Sequence, residues 1–340
     1  MPCAPASGRS EAAELVDQAL RVLGRGVRAL VQFDVPLSRC STLRVGGPAA
    51  RFLSVSDGAL LADLLCAAQE ASVRLLLLGG GSNVCPSDAG FDGLVIQNRC
   101  ARIDIGEAVC VEAGAGLGRL FQLSAAAGRS GLEFAVGIPG SVGGALVSNA
   151  GAYRSCIGDL LVGLEIVERG RVRRVGPEWL QLGYRSSRLR GAPDQSAHLL
   201  RAWLRLGSGD PAALFAAGRG YQEQRLSKQP WLPSAGSFFK NVNDIALAAR
   251  MEGLPPKFVE AGVVPAGYLS SACGCLGLRL GGAQVSPRHG NFIVNTGGAT
   301  ASDVRGLADL VRGRVCGGMG VRLEEEALYV GDWPGAEPGA

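Results

Sequence analysis

The stretch GLEFAVGIPGSVGGALVSNAGAY, Gly131 to Tyr153, carries six glycines in 23 residues and a single charged side chain. Glycine inside a regular element costs roughly 0.5–1 kcal/mol relative to alanine. Such density therefore marks tight turns, positive φ angles, or backbone pressed against a ligand. A second cluster, Gly79-Gly80-Gly81-Ser82-Asn83, follows the apolar run VRLLLL. Successive uncovered N–H groups form a concavity that accepts phosphate oxygens, and small hydroxyl and amide side chains add donors. The two loops together point to a diphosphate-bearing cofactor, although each alone reads equally well as a tight strand exit. A third segment, VEAGAGLGRL (Val111 to Leu120), imitates a Rossmann fingerprint but has Arg119 where the final glycine belongs, so a nicotinamide cofactor bound in Rossmann style is not expected.

At 340 residues and 47% hydrophobic content the chain is large enough for two or three well-cored units. The 51 glycines show no G-X-Y period, which excludes collagen. A net charge of +4, from 34 basic and 30 acidic residues, is too small an excess to announce a nucleic-acid partner. Ten scattered cysteines contain no C-x-x-C and no zinc spacing, so no metal is expected. No uncharged run approaches the roughly 18 apolar residues of a spanning helix, and the leading EAAELVDQALRVLGRGVRALVQF reads as an amphipathic helix without a signal-peptide block. A cytoplasmic protein without membrane insertion, its thiols reduced, is the expectation.

Periodicity and breakers predict short strands at LRVGG and ARFLSV, a helix over 57–71, and a buried strand at VRLLLL. Strands follow at GLVIQN, ARIDI and AVCVEAG, then a helix over 117–127. LVGLEIVERGRVRRV reads as a hairpin turning at Arg169-Gly170, and HLLRAWLRL as a strand. The composition turns to breakers at 207–211, where the main boundary falls. Beyond it, helices are expected over 212–225, 244–251 and 302–315, with strands at GNFIVN and VRLEEEALYVG, and a frayed tail after Val330.

In order along the chain stand STLRVGGPA, LGGGSNVCPSDAGFDGLVI, the Gly131 segment, GYRSS, PSAGSFFKN, HGNFIVN and LEEEA. Together they resemble the UDP-N-acetylenolpyruvoylglucosamine reductase family over about residues 33–331, in its shorter subtype without a tyrosine-bearing lid loop. The resemblance implies an α+β protein. Residues 1–34 would be a helical extension and 35–208 an FAD-binding region of vanillyl-alcohol-oxidase type, in subdomains of about 35–128 and 129–208. Residues 209–331 would bind substrate, and 332–340 would be a tail. It implies NADPH-dependent, FAD-mediated reduction of UDP-N-acetylglucosamine enolpyruvate to UDP-N-acetylmuramate in peptidoglycan precursor synthesis. The FAD would be non-covalent, NADPH a co-substrate, and the protein a monomer acting on a UDP-sugar with no nucleic-acid partner. Two other readings stand beside it: a catalytically weak FAD- and UDP-sugar-binding protein, and another flavin oxidoreductase of the same fold.

By the same resemblance, Arg185 is the catalytic arginine, Ser237 the proton donor, and Glu326 the catalytic glutamate. A planar permanent cation suits a carboxylate whose charge grows. A positioned hydroxyl can quench a carbanion. Read from composition alone, Arg185 sits in a run with Arg188 and Arg190 that reads as a solvated face, and Ser237 reads as a turn serine. Strand alternation would put Glu324 and Glu326 on one face and Glu325 on the other; motif position selects Glu326, with Glu324 as the fallback. Burial and a neighbouring carboxylate should raise the Glu326 pKa. The cofactor would be held by Gly79, Gly80, Gly81, Ser82, Asn83, Gly137, Ile138, Pro139, Gly140, Ser141, Gly143, Gly144, Asn149, Gly151, Ala152, Tyr153 and Arg225. Tyr184, Lys228, Lys240, Asn241 and His289 would bind substrate. His198, in an apolar strand, reads as a satisfied core histidine. Three departures from the family pattern stand out: Arg154 replaces a glycine, Ala327-Leu328 replaces Val-Arg, and PAGYLSSACGCLG lacks the commoner Trp and acid.

Overall fold

The structure, a computed structural model, describes residues 15–16, 25–190 and 196–334. Most of the expected leading helix lies outside these residues. Arg25–Arg28 is helical, but the segment ends in an extended strand, β1 (Gln32–Pro36), rather than running on as helix.

β1 joins a four-stranded sheet with β2 (Pro48–Val55), β3 (Leu75–Leu78) and β4 (Phe91–Asn98), in the order β1-β2-β4-β3. β2 and β3 pair parallel with β4, which requires a crossover. Helix α1 (Gly58–Glu70) supplies it, started by the Asp57 carboxylate accepting from the Ala59 and Leu60 N–H groups. Leu61, Leu64, Leu65 and Ala68 form its buried stripe against Leu53, Val55, Leu94 and Ile96. LRVGG is not a strand. Arg44 there takes a left-handed φ of 57° and Gly46 a φ of 116°, so the chain turns before β2 begins.

The second sheet has five antiparallel strands: β5 (Ile103–Ile105), β6 (Val109–Glu112), β7 (Leu161–Glu168), β8 (Arg171–Val175) and β9 (Ala197–Leu204), ordered β8-β7-β9-β6-β5. The predicted hairpin is present. Arg169 and Gly170 both have positive φ, 54° and 70°, as the primed two-residue turn requires. Helix α2 (Leu117–Ala126) covers this sheet with Leu117, Leu120 and Phe121.

Helix α3 (Pro211–Lys228), capped by Asp210, leads to a third sheet: β10 (Ser234–Ser237), β11 (Arg279–Leu280), β12 (Ala283–Val285) and β13 (Phe292–Asn295), ordered β10-β13-β12-β11. Helix α4 (Ala301–Met319) buries Val304, Leu307, Ala308, Val311 and Val315 on it. Both of its first two N–H groups donate to the Asp88 carboxylate, from the first α/β unit. VRLEEEALYVG is regular only over Leu328–Val330, which pairs parallel with Val84–Pro86. Of the tail expected to fray, residues 331–334 are held in place and the rest lie outside the described residues. Asp332 N–H donates to Gly90 O at 2.8 Å, its carboxylate accepts from Asp92 N–H at 2.7 Å and pairs with Arg74, and Trp333 packs edge-on against Tyr329.

Candidate active site

A cleft of about 1280 Å³ runs along the free edge of β3, between the first two sheets, to the third. Its wall contains Gly79 to Asn83, Gly137 to Ser141, Gly143, Gly144, Gly151, Ala152, Arg185, Arg225, Ser237 and Glu326. The two glycine loops meet there. A Cβ on Gly80 would stand 2.9 Å from Gly140 Cα, and one on Gly140 2.5 Å from Ser82 Oγ, while Ser82 Oγ donates to Pro139 O at 3.1 Å. The glycine density thus serves loop-against-loop packing as well as the turns and the approach to a ligand expected from the sequence. Ser141 caps the short helix Val142–Val147 by accepting from Gly144 N–H. The cleft exceeds the roughly 300–1,000 Å³ of ordinary small-molecule pockets and has two side-chain-poor loops at its waist, so an extended dinucleotide such as FAD fits it. Arg225, whose Nε is buried without a partner, adds a cation to that wall.

The three reacting side chains expected from the motifs all reach this cleft. GYRSS makes a two-residue reversal: Gly183 and Ser186 exchange backbone hydrogen bonds, and Arg185 at its tip has φ 49°. A left-handed arginine costs about 1–2 kcal/mol and persists only where surroundings fix it. Arg185 Nη2 donates to Gly151 O at 2.8 Å and Nη1 to Asn149 O at 3.4 Å, while Nε lies 2.6 Å from Glu326 Oε1. This last contact is a charge pair without an aligned N–H···O bond. One N–H on each terminal nitrogen is left for another acceptor.

Burial pushes the Glu326 carboxyl above its ordinary range, against the pull of Arg185, Arg190 and Lys240. The expected rise is therefore present, but its protein neighbours are cations, not a second acid. Glu324 is largely exposed and pairs with Lys240 at 3.1 Å; Glu325 turns the other way to Arg312 at 2.8 Å. Ser237 ends β10 after a bulge: Ser234 faces Val294 and Ser237 faces Phe292, with Gly236 at φ 79°. The bulge re-aims the serine into the cleft. Its hydroxyl makes no hydrogen bond among the described residues.

Other expected residues stand elsewhere. Asn149 holds backbone at both ends, donating to Gly183 O and accepting from Gly158 N–H, and is not in the cleft wall. Tyr153 stacks on Tyr221 at 4.1 Å beside Arg225, outside the wall. Tyr184, Lys228, Lys240, Asn241 and His289 likewise lie off it. Lys240 is held by Glu324, the Asn241 amide oxygen accepts from Ala266 N–H, and His289 Nδ1 accepts from Asn291 N–H. Burial raises the Tyr184 hydroxyl and lowers the His289 imidazole. His198 corrects its reading as a satisfied core histidine. It lines the cleft, makes no hydrogen bond among the described residues, and burial holds its imidazole down to about 4.

Within the arginine run, Arg185 and Arg190 are partly buried and only Arg188 is exposed. Arg188 pairs with Glu168 at 3.3 Å and lies over Trp179, and Arg190 is directed at the Glu326 backbone. Nothing in local composition marks Arg190, because its partner lies 136 residues away. Arg154 has a left-handed φ where the family pattern has a glycine: Tyr153 and Arg154, at 54° and 66°, form the primed turn of the hairpin 151–156. Leu328 lines the cleft as an apolar residue where the family pattern has a cation.

The family model described as UDP-N-acetylenolpyruvoylglucosamine reductase, C-terminal domain, matches residues 225–330, and one described as an FAD binding domain matches residues 49–176. The UDP-N-acetylenolpyruvoylglucosamine reductase of Rubrobacter xylanophilus is 41% identical over 304 residues, covering 88% of this chain and 95% of that protein. That of Synechococcus sp. strain JA-3-3Ab is 38% identical over 309 residues, covering 89% and 92%. The crystal structure of the Thermus caldophilus enzyme superposes with a TM-score of 0.70 at 33% identity, covering 89% of this chain and 99% of that one.

Proposed function

The chain belongs to the UDP-N-acetylenolpyruvoylglucosamine reductase family, and we propose that its reduction of UDP-N-acetylglucosamine enolpyruvate to UDP-N-acetylmuramate is carried by Arg185, Glu326 and Ser237. The enzyme uses FAD and NADPH in peptidoglycan precursor synthesis. FAD, when bound, supplies the hydride that adds to the enol-ether carbon far from the carboxylate. The wall residues named above, from the two glycine loops with Ala152 and Arg225, would hold it.

Addition of hydride leaves negative charge on the carbon beside the substrate carboxylate and on its oxygens. Arg185 has two unengaged N–H groups for those oxygens, and charge-assisted bonds to them strengthen as the charge grows. Glu326 orients the guanidinium through Nε and, being buried and raised, can share a proton with the enolate oxygens. Ser237 gives its proton to the carbon; its hydroxyl, free of protein partners, can turn to do so. The observation that carries this assignment is the Arg185–Glu326 pair standing in the same cleft wall as the bulge-aimed Ser237.

Tyr184, Lys228, Lys240, Asn241 and His289 would meet the nucleotide part of the substrate at the cleft's margin, where cations and amides suit phosphate and base. Asn149 and Tyr153 would shape the cofactor wall from behind. The division between cofactor and substrate regions would fall near residue 208. The nine described cysteines are free thiols, which suits a reducing compartment, and the protein would act in the cytoplasm as a monomer. No helix among the described residues is long and apolar enough to cross a membrane.

The test is anaerobic. NADPH should bleach the yellow protein, and the enolpyruvyl substrate should restore the colour. Bleaching without substrate-dependent recovery would favour a protein that binds flavin and sugar nucleotide without turning over.

A further inference from the structure

The Glu326 peptide is gripped on both sides. Its N–H donates to Phe238 O at 2.7 Å, and its carbonyl accepts from Asn83 Nδ2 at 2.9 Å and from Arg190 Nη2 at 2.7 Å. The same Arg190 nitrogen reaches Glu325 O at 3.2 Å. Arg190 does not stand in the cleft wall, and its Nη1 is buried without a hydrogen-bond partner among the described residues. Burying a guanidinium against neutral carbonyls is unfavourable unless an opposite charge stands near, and for Arg190 that charge is Glu326. The loop that presents Arg185 to the carboxylate of Glu326 thus also brings a second cation to its backbone.

We propose that Arg190 is a positioning residue for the reaction: from behind the cleft wall it fixes the Glu325–Glu326 backbone and brings a second positive charge to bear on the Glu326 carboxyl beside Arg185. The proposal rests on the reading of Arg185, Glu326 and Ser237 as the reacting site. The groups facing Glu326 are Arg185 and Tyr184 from the turn, Arg190 beyond it, Lys240 after β10, and neutral Asn83 from the glycine loop. On its own segment, Glu324 and Glu325 are engaged by Lys240 and Arg312. Arg185 also holds the Gly151 and Asn149 carbonyls and has its remaining N–H groups for the substrate, and Lys240 divides its charge with Glu324. Arg190 is the cation that faces no other carboxylate among the described residues. Burial lowers its own pKa, and the Glu326 charge draws it back up.

Variants of the FAD-loaded full chain separate charge from geometry. Arg190→Gln removes the cation, Arg190→Lys keeps it with one donor point, and Asn83→Ala removes a neutral donor to the same carbonyl. The readouts are retained flavin colour and the pH dependence of anaerobic flavin reoxidation by the UDP-sugar. Arg190→Gln should slow reoxidation by about tenfold to a hundredfold and move the titration assigned to Glu326 upward. Arg190→Lys should return that titration to its parent position. Asn83→Ala should slow the reaction and leave the titration in place. An unshifted titration in Arg190→Gln, or one shifted equally in all three, overturns the proposal. If Arg190→Gln does not fold, Arg190→His gives the answer within one protein: its rate relative to the parent must fall as pH rises through about 6.5, where imidazole loses its charge. Parallel pH curves there overturn it. Glu326→Gln is the control on the site itself. If it reacts at the parent rate, the reading of the site fails; if it is slow while Arg190→Gln is normal, only the role of Arg190 fails.

Discussion

Arg185→Met isolates the Arg185–Glu326 pair. With Nε 2.6 Å from Oε1, the two charge centres lie about 4 Å apart, and at an effective dielectric of about 20 their attraction is roughly 4 kcal/mol. The side chains are only 21% and 16% exposed, so the screening that reduces surface pairs below about 1 kcal/mol applies in part. Arg190 and Lys240 remain after the substitution and return some of the attraction. A coupling of about 2–4 kcal/mol is expected, between the values for exposed pairs and for fully buried ones. The pH dependence has a definite sign. Burial raises the folded-state pKa of Glu326, and such an acid favours the fold below its unfolded value and loses that contribution as pH rises through the folded one. Loss of Arg185 raises it further, so the deficit of the variant should be smallest in acid and grow toward alkaline pH. Urea unfolding across pH of the parent, Arg185→Met, Glu326→Gln and the double variant gives the coupling from a double-mutant cycle. Turnover of Arg185→Met should fall about a hundredfold to a thousandfold with flavin retained. A coupling below about 1 kcal/mol at every pH, or a deficit largest in acid, refutes the argument.

Three further outcomes are expected. Ser237→Ala should leave flavin reduction by NADPH nearly intact and slow reoxidation by the UDP-sugar at least about a hundredfold; equal losses in stopped-flow traces of both halves would remove the serine as proton donor. Arg154→Gly, at φ 66° in a primed turn, should raise stability by about 1 kcal/mol in thermal melts, because glycine takes that conformation without strain; a lowered melting temperature would show that the Arg154 side chain outweighs its backbone cost. His198, held from 6.5 down to about 4, should contribute about 3 kcal/mol of stability that is present above pH 6.5 and lost as pH falls through 4. His198→Leu should flatten the unfolding curve over that window, and an unchanged slope would place the imidazole in contact with water.

Local pattern revealed the parts of this fold that local physics decides. The Asp57 cap with the stripe Leu61, Leu64, Leu65 and Ala68 is a helix by spacing alone. The Arg169-Gly170 reversal is a hairpin by its turn residues. LRVGG was misread because its apolar residues alternate, whereas the positive φ of Arg44 and Gly46 bends the chain before a ladder can form. His198 looked like core for a related reason. Its neighbours in β9 are apolar, but a free strand edge opposite leaves a cleft where a packed layer was assumed.

The reacting end of the site was less legible because long-range contacts fix it. Glu326 precedes a three-residue strand that pairs not with its own sheet but parallel with Val84–Pro86, next to the glycine loop. Leu328 N–H donates to Asn83 O at 2.9 Å, and the Asn83 side chain returns a bond to Glu326 O. Without a regular strand, Glu325 still turns away to Arg312, whereas Glu324 and Glu326 both stand near Lys240 and Glu326 pairs with Arg185. Loop and glutamate are therefore one mechanical unit, although 243 residues separate Asn83 from Glu326. A cofactor seated against Gly79 to Asn83 bears on the same backbone that sets the Glu326 carboxyl beside Arg185. No single motif places the carboxylate: Asn83 of the glycine loop and Arg190 hold the Glu326 carbonyl, and Arg185 stands against its side chain.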